Sequence, residues 1–214
     1  MATRALDARV DTRSRRYDPA ETRQRVLAAA NMLFSSRGFS STGTADIARE
    51  ADVSEGSIFY HFGSKKNLLV ELGRSYGEAM IAAMQRDDPL ETLEPGIIIP
   101  RVFEFCATNN LWESMTGSEC QVGVPAIIKN PDGEPFYKAS KETTSAWIAR
   151  QMEVAFAHHG ITGIDVPMTA SFTHHVVGDA IELYLTAPDE AARERVVSET
   201  VRFVRAACGY STGA

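Results

Sequence analysis

The 214-residue sequence predicts an all-α fold, with a small three-helix unit at the N-terminus and a larger helical domain behind it. Three observations carry this. Apolar residues recur at i, i+3 and i+4 spacing from Val26 onward. No alternating apolar–polar run of useful length offers a strand. Gly and Pro fall between the periodic stretches, where helices would end. The expected boundaries are a flexible basic arm over 1–18, the three-helix domain over 19–66, the larger domain over 67–208 and a tail over 209–214.

Residues 1–18 hold Arg4, Arg9, Arg13, Arg15 and Arg16 against Asp7, Asp11 and Asp18, with few large apolar groups. Such a segment cannot bury enough surface to order itself. An amphipathic helix follows, with Val26, Ala30, Leu33 and Phe34 on one face. Gly38 ends it, and Phe39 is expected to fold back as a plug. Two short helices come next. The first is expected from about Gly43 to Glu50, capped by Thr42, and the second from Ser54, as cap, through about His61. The turn between them is Ala51, Asp52 and Val53. Ala48 is small enough for a steep crossing, Asp52 tolerates positive φ less well than glycine, and Ile47, Val53 and Ile58 anchor the pair from below.

That plan is the helix-turn-helix, whose second helix enters the major groove, so it implies double-stranded DNA as a partner. The expected DNA-facing residues are Thr42, Thr44, Ser54, Glu55, Gly56, Ser57, Tyr60, His61 and Lys65. Glu55, Ser57 and Tyr60 should face bases, with Glu55 suited to cytosine N4 and Tyr60 to a thymine methyl or phosphate. His61 and Lys65 should touch phosphate. The N-terminal arm is then either a solvated tail or a strand that follows the DNA backbone or enters a minor groove. Charge is divided the same way. The chain carries −6 overall, with 11 Lys/Arg and 8 Asp/Glu in 1–70 against 11 and 20 in 71–214. A DNA-facing end and an acidic remainder suit contact with phosphate on one side only.

A long fourth helix, capped by Ser64, is expected from Lys65 to about Met84, with Leu68, Leu69, Leu72, Tyr76 and Met80 as its stripe. Breaks at Asp87–Pro89 and Pro95–Gly96 precede a helix over 97–108. Residues 111–129 are less regular, and 130–135 read as a turn. Further helices are expected over Phe136–His159, from Asp165–Pro167 to Leu185, and after a capping-box variant at Thr186–Asp189.

The order RVLAAANMLFSSRGF, TADIAREADVS, EGSIFYHFGSKKNLL resembles the TetR family of bacterial regulators over roughly the first third of the chain. Asp52 and Phe59 depart from the pattern, which usually has Gly and often Tyr there; a phosphate-binding hydroxyl is thereby missing. The resemblance implies a repressor, a dimer through the last two helices, and a palindromic operator. The helix over 167–185 fits, because Phe172, Val176, Val177, Ala180, Ile181, Leu183 and Tyr184 make it apolar on more than one face. The expected interface is Val177, Ile181, Tyr184, Val197, Val201 and Val204, the alternative being a core helix of a monomer. A small apolar effector, aromatic or acyl, is expected among Phe103, Cys106, Trp112, Met115, Trp147, Met152, Phe172 and His175, the alternative being plain core. Phe105 adds to the apolar supply, and Asn109, Glu119 and His174 are further candidate anchors. The stretch CQVGVPAIIK and Trp147 are similar to one subgroup of these regulators. The fourth helix is expected to be the only continuous link from effector to reading head.

Catalysis, metals and cofactors are not expected. The sequence has no His-Glu-x-x-His, glycine-rich phosphate loop, Gly-x-Ser-x-Gly or Cys-x-x-Cys. Adjacent His174 and His175 point to different sides of a helix and share a metal poorly. Cys106, Cys120 and Cys208 form neither a disulfide frame nor a zinc pattern and are expected to be buried thiols. No apolar stretch approaches the roughly 20 residues of a membrane span, and MATRALDARVDTRSRR lacks the apolar core of a signal peptide, so a cytoplasmic location is expected.

Overall fold

The computed structural model describes residues 18–109 and 131–210. Among them are eight α-helices and no strand: α1 (Pro19–Arg37), α2 (Thr44–Glu50), α3 (Glu55–Phe62), α4 (Lys65–Gln85), α5 (Pro95–Thr108), α6 (Glu134–His159), α7 (Val166–Leu185) and α8 (Glu190–Ala207). Short 3-10 turns at Leu90–Thr92 and Pro131–Gly133 precede α5 and α6.

Side-chain caps set most helix starts. The Asp18 carboxylate accepts from the amides of Ala20 and Glu21 with Pro19 at the first position, so Asp18 belongs to α1 and not to the arm. Ser54, Ser64, Asp165 and Asp189 cap α3, α4, α7 and α8 in the same way. α2 differs from expectation. Gly43 is its cap residue, and the Asp46 carboxylate reaches back to the Gly43 amide at 3.3 Å. Thr42 instead points inward, 1% exposed, and its hydroxyl lies 2.9 Å from the Gly38 carbonyl and 3.3 Å from that of Leu33. Its hydroxyl thereby ties the residue before α2 to the end of α1.

The α2–α3 turn has the anticipated backbone. Asp52 sits at φ 52°, and the Val53 amide donates to the Ala48 carbonyl at 3.0 Å. Beneath it Val26, Ala30, Phe34, Ile47 and Ile58 are fully buried, joined by Leu68, Leu69 and Leu72 of α4.

One member of this core comes from far along the chain. Phe136, at the start of α6, packs into the three-helix core with its ring 5.5 Å from that of Tyr76. The approach needs glycine. A Cβ on Gly73 would stand 2.1 Å from the Phe136 carbonyl oxygen, and one on Gly77 would stand 3.0 Å from Thr143. The Ser40 hydroxyl also donates to the Asp132 carboxylate. So α4 is not the sole link between the two domains; the N-terminal turn of α6 is a second one.

α5 to α8 enclose a cluster of Ile99, Phe103, Met152, Phe156, Ala170, Ala180, Val204 and Cys208. A smaller cluster holds Met84, Val102 and Cys106, with Trp147 against it. Arg205 of α8 pairs with Glu94 before α5, and its guanidinium lies 5.5 Å from the Tyr210 ring centre. Tyr210 is buried against Phe156 and His159, so the domain extends past 208 and the expected tail begins later.

Candidate nucleic-acid interface

α3 presents its outer face above the three-helix core. Ile58 and Phe62 point inward, and the intervening Phe59 and Tyr60 stand out at 49% and 80% exposure. The first turn is held by hydrogen bonds among its own side chains and the start of α2. The Ser54 hydroxyl accepts from the Ser57 amide at 3.1 Å and lies 2.8 Å from the Ser57 hydroxyl. Across the turn the Thr44 hydroxyl donates to Oε1 of Glu55 at 2.5 Å. Gly56 is exposed, with only Ser54 Oγ near the space a Cβ would take. Thr44, Ser54, Glu55, Gly56, Ser57 and Tyr60 thus lie together around one exposed helix start.

Three expected contacts stand differently. Thr42 is spent inside, as described, so its side chain is unavailable to DNA. The Lys65 ammonium donates to the carbonyls of Phe39 and Thr42 at 2.9 and 3.0 Å and lies 4.2 Å from the Phe39 ring centre. It pins the α1–α2 loop, because a cation near a desolvated ring and two carbonyls is well satisfied. His61 is half-buried at the end of α3, its ring edge-on to Tyr60 and its carbonyl accepting from Arg23. Phe59, where the family pattern often has Tyr, is at the surface as that pattern implies. Its place directly after inward-facing Ile58 gives the same signal, since one step along a helix turns a side chain by about 100°.

The effector candidates divide. Phe103 and Met152 belong to the large C-terminal cluster, and Cys106 and Trp147 to the small one. The Trp147 indole donates to Gln85 at 3.3 Å. Phe172 is 63% exposed and His175 is exposed, so neither faces this interior in the protomer. His175 Nδ1 lies 2.7 Å from the Ser171 carbonyl, and its Nε2 lies 3.0 Å from the Lys141 ammonium. It is the adjacent His174 that turns inward, and burial, with Lys141 and His175 nearby, pushes its pKa down to about 4. Trp112, Met115, Glu119 and Cys120 lie outside the described residues. Burial raises the Cys106 thiol to about 11 despite the Tyr76 hydroxyl, and Cys208 is also raised, so both are protonated buried thiols.

The interface candidates also shift. Val204 is 3% exposed and is core, because α8 turns it toward α5 and α7. Val177, Ile181, Tyr184, Val197 and Val201 are half-buried against the protomer's own clusters. The large apolar groups that do face outward are Met168, Phe172 and Leu183 of α7 and Phe203 of α8. At about 100° per residue, the three on α7 fall within a sector of roughly 60°.

Among the described residues no group of three His, Cys, Asp or Glu is placed to hold a metal, and no helix is long and apolar enough to cross a membrane. Comparisons with known proteins agree with the geometry. The family model for bacterial regulatory proteins, tetR family, matches residues 26–72. The transcriptional regulator AcrR of Shigella flexneri is 42% identical over 128 residues, which span 55% of this chain and 58% of AcrR. The solved structure of RolR in complex with resorcinol has a TM-score of 0.54 at 17% identity, covering 92% of this chain and 95% of that one. The transcriptional regulator LmrA of Bacillus subtilis is 38% identical over 173 residues, 78% of this chain and 88% of LmrA. A likeness that runs through both domains and nearly the whole of LmrA decides the matter: the chain is a helix-turn-helix transcriptional regulator and belongs to the TetR family.

Proposed function

We propose that the chain is a homodimeric repressor that binds a palindromic operator and is released by a small, largely apolar effector. The observation that carries this is the pairing of two unpartnered surfaces. One is the pre-ordered, exposed first turn of α3; the other is the outward apolar face of Met168, Phe172, Leu183 and Phe203. A two-fold axis through the second would place two copies of the first on one duplex, because isologous dimers suit inverted half-sites. Phe172 and Leu183 then contribute to the interface, flanked by the half-buried Val177, Ile181, Tyr184, Val197 and Val201. Ser57 and Tyr60 face base edges, Glu55 meets cytosine N4, and His61 meets the backbone at the far end of α3. Lys65 acts mainly by holding the α1–α2 loop in place.

The effector belongs among α5, α6 and α7, where Phe103, Met152, Cys106 and Trp147 supply apolar groups, and the resorcinol complex of RolR supports an aromatic class. Its binding shifts α6 relative to α4, and both reach the reading head. A small tilt spoils the spacing of about 34–36 Å between two reading helices on successive major grooves. Operator must then weaken effector binding by the same factor, typically about 5- to 150-fold.

Selection of bound duplexes from a random pool, followed by gel shift and sedimentation, tests the reading. An inverted repeat bound by two copies is expected. Failure to enrich any sequence would overturn it. Aromatic and acyl compounds are then titrated with and without operator, following Trp fluorescence. A compound with the same affinity in both titrations is not the effector. If none binds, the C-terminal domain serves dimerisation alone.

A further inference from the structure

We infer that Thr44 and Glu55 form a single base-reading unit that demands cytosine at one fixed position in each half-site. The inference rests on the DNA-binding reading above. Thr44 is the first residue of α2 and Glu55 the first of α3, eleven positions apart and on opposite sides of the turn. The Thr44 hydroxyl donates to Glu55 Oε1 at 2.5 Å, which fixes the carboxylate's χ angles and leaves Oε2 as the free acceptor. The platform under it is rigid, because Ile47 and Ile58 are fully buried and Ala48 sits at the crossing. The carboxylate also stands at the positive end of α3, where it is stabilised and where it repels a phosphate. This helix start is therefore unsuited to the DNA backbone and suited to a base edge.

A carboxylate only accepts hydrogen bonds. In the major groove guanine presents two acceptors, and thymine an acceptor and a methyl group. Adenine offers its N6 amino group with the N7 acceptor beside it, which faces the same negative charge. Cytosine alone offers an amino donor with no acceptor beside it on its own groove edge. One free oxygen, held in place, therefore ranks cytosine first, adenine second, and thymine and guanine last. In this scheme Glu55 contacts the base, and Thr44 is a positioning residue.

The test uses the full-length protein. Duplexes selected by wild type, Glu55→Gln and Thr44→Val are sequenced, and affinities are measured on the consensus with each base at the cytosine position. Both side chains are at the surface, and thermal melting checks that each variant stays folded. For wild type, replacing cytosine by guanine in one half-site should cost about 5- to 150-fold. Glu55→Gln, whose amide both donates and accepts, should lose that demand while choices at every other position stand. Thr44→Val should keep cytosine first but narrow its margin several-fold, a change in base profile that a merely structural role would not produce. Identical base choices for Glu55→Gln and wild type would overturn the inference while leaving the regulator reading intact. Identical choices for Thr44→Val would remove Thr44 from the unit. A wild type that enriches no sequence would overturn the regulator reading and this inference with it.

Discussion

In the reading head, Val26, Phe34, Ile47 and Ile58 are fully buried, by partners from the same stretch of chain, the start of α4 and Phe136 of α6. In α7 and α8, Met168, Phe172, Leu183 and Phe203 remain 51–63% exposed. Both regions are amphipathic helices of ordinary length, yet one closes its own core and the other leaves a second apolar face open. A helix apolar on two faces is only half satisfied by its own domain, and contiguous exposed apolar surface marks an interaction site. The contrast also separates two kinds of apolar residue in α7 and α8, those buried in the chain's own clusters and those that face outward.

The strongest way to break this contrast is to place a charge on each kind of position. Val204→Asp buries an unpaired carboxylate beside Ile99, Phe103 and Cys208, at a cost of several kcal/mol, which is a large part of a domain's stability. Loss of helix signal and aggregation are expected. Leu183→Asp puts the same charge on the open face. Helix content should persist, sedimentation should show monomers, and operator affinity should fall because two half-sites are no longer held together. A Leu183→Asp protein that remains dimeric would remove the open face from the interface.

Phe136→Ala tests whether the reading head is as self-contained as its sequence suggests. The ring is 4% exposed within the three-helix core, though it belongs to α6. Truncation of such a ring costs about 3–5 kcal/mol. The urea midpoint should drop accordingly. A loss below about 1 kcal/mol would mean that the second link between the domains carries little.

Thr42→Val should have a smaller effect, about 1–3 kcal/mol, because it removes the buried hydroxyl that donates to the Gly38 carbonyl, while the Leu33 carbonyl keeps the Ser36 hydroxyl. Thr42→Ser should recover most of it. Operator affinity per folded molecule should be unchanged in both. A variant of full stability but weak binding would instead return Thr42 to the DNA surface.

Why the first region was readable and the second only partly so follows from where the determining contacts lie. Val26, Phe34, Ile47 and Ile58 fall on the apolar faces that spacing within each helix marks, and caps such as Ser54 and Ser64 act within three residues, so local pattern suffices. Nothing in the neighbourhood of Lys65 names Phe39 and Thr42, 26 and 23 residues back, as partners of its ammonium. The Thr44–Glu55 bond and the Phe136 wedge are likewise non-local. Periodicity locates α7 and α8 but leaves their rotation open, so Val204 of α8 reads as outward and Phe172 of α7 as inward, the reverse of their exposure.

His174 gives the finest test of that rotation. It is the inward member of the His174–His175 pair, held at about 4 by burial first, then by the Lys141 and His175 charges. Above about pH 6.5 it is neutral both folded and unfolded and contributes no pH dependence. Between 6.5 and 4 the unfolded chain takes up a proton there that the folded chain refuses, so folding stability falls as the pH falls. Below about 4 both states are protonated and the trend stops. Other groups add their own pH dependence to folding, so the informative quantity is the difference in melting temperature between wild type and His174→Gln. That difference should stay constant above pH 6.5 and move against wild type from 6.5 to 4. Parallel curves for His174→Gln and wild type would mean that α7 is rotated from the position described here, with His174 in water.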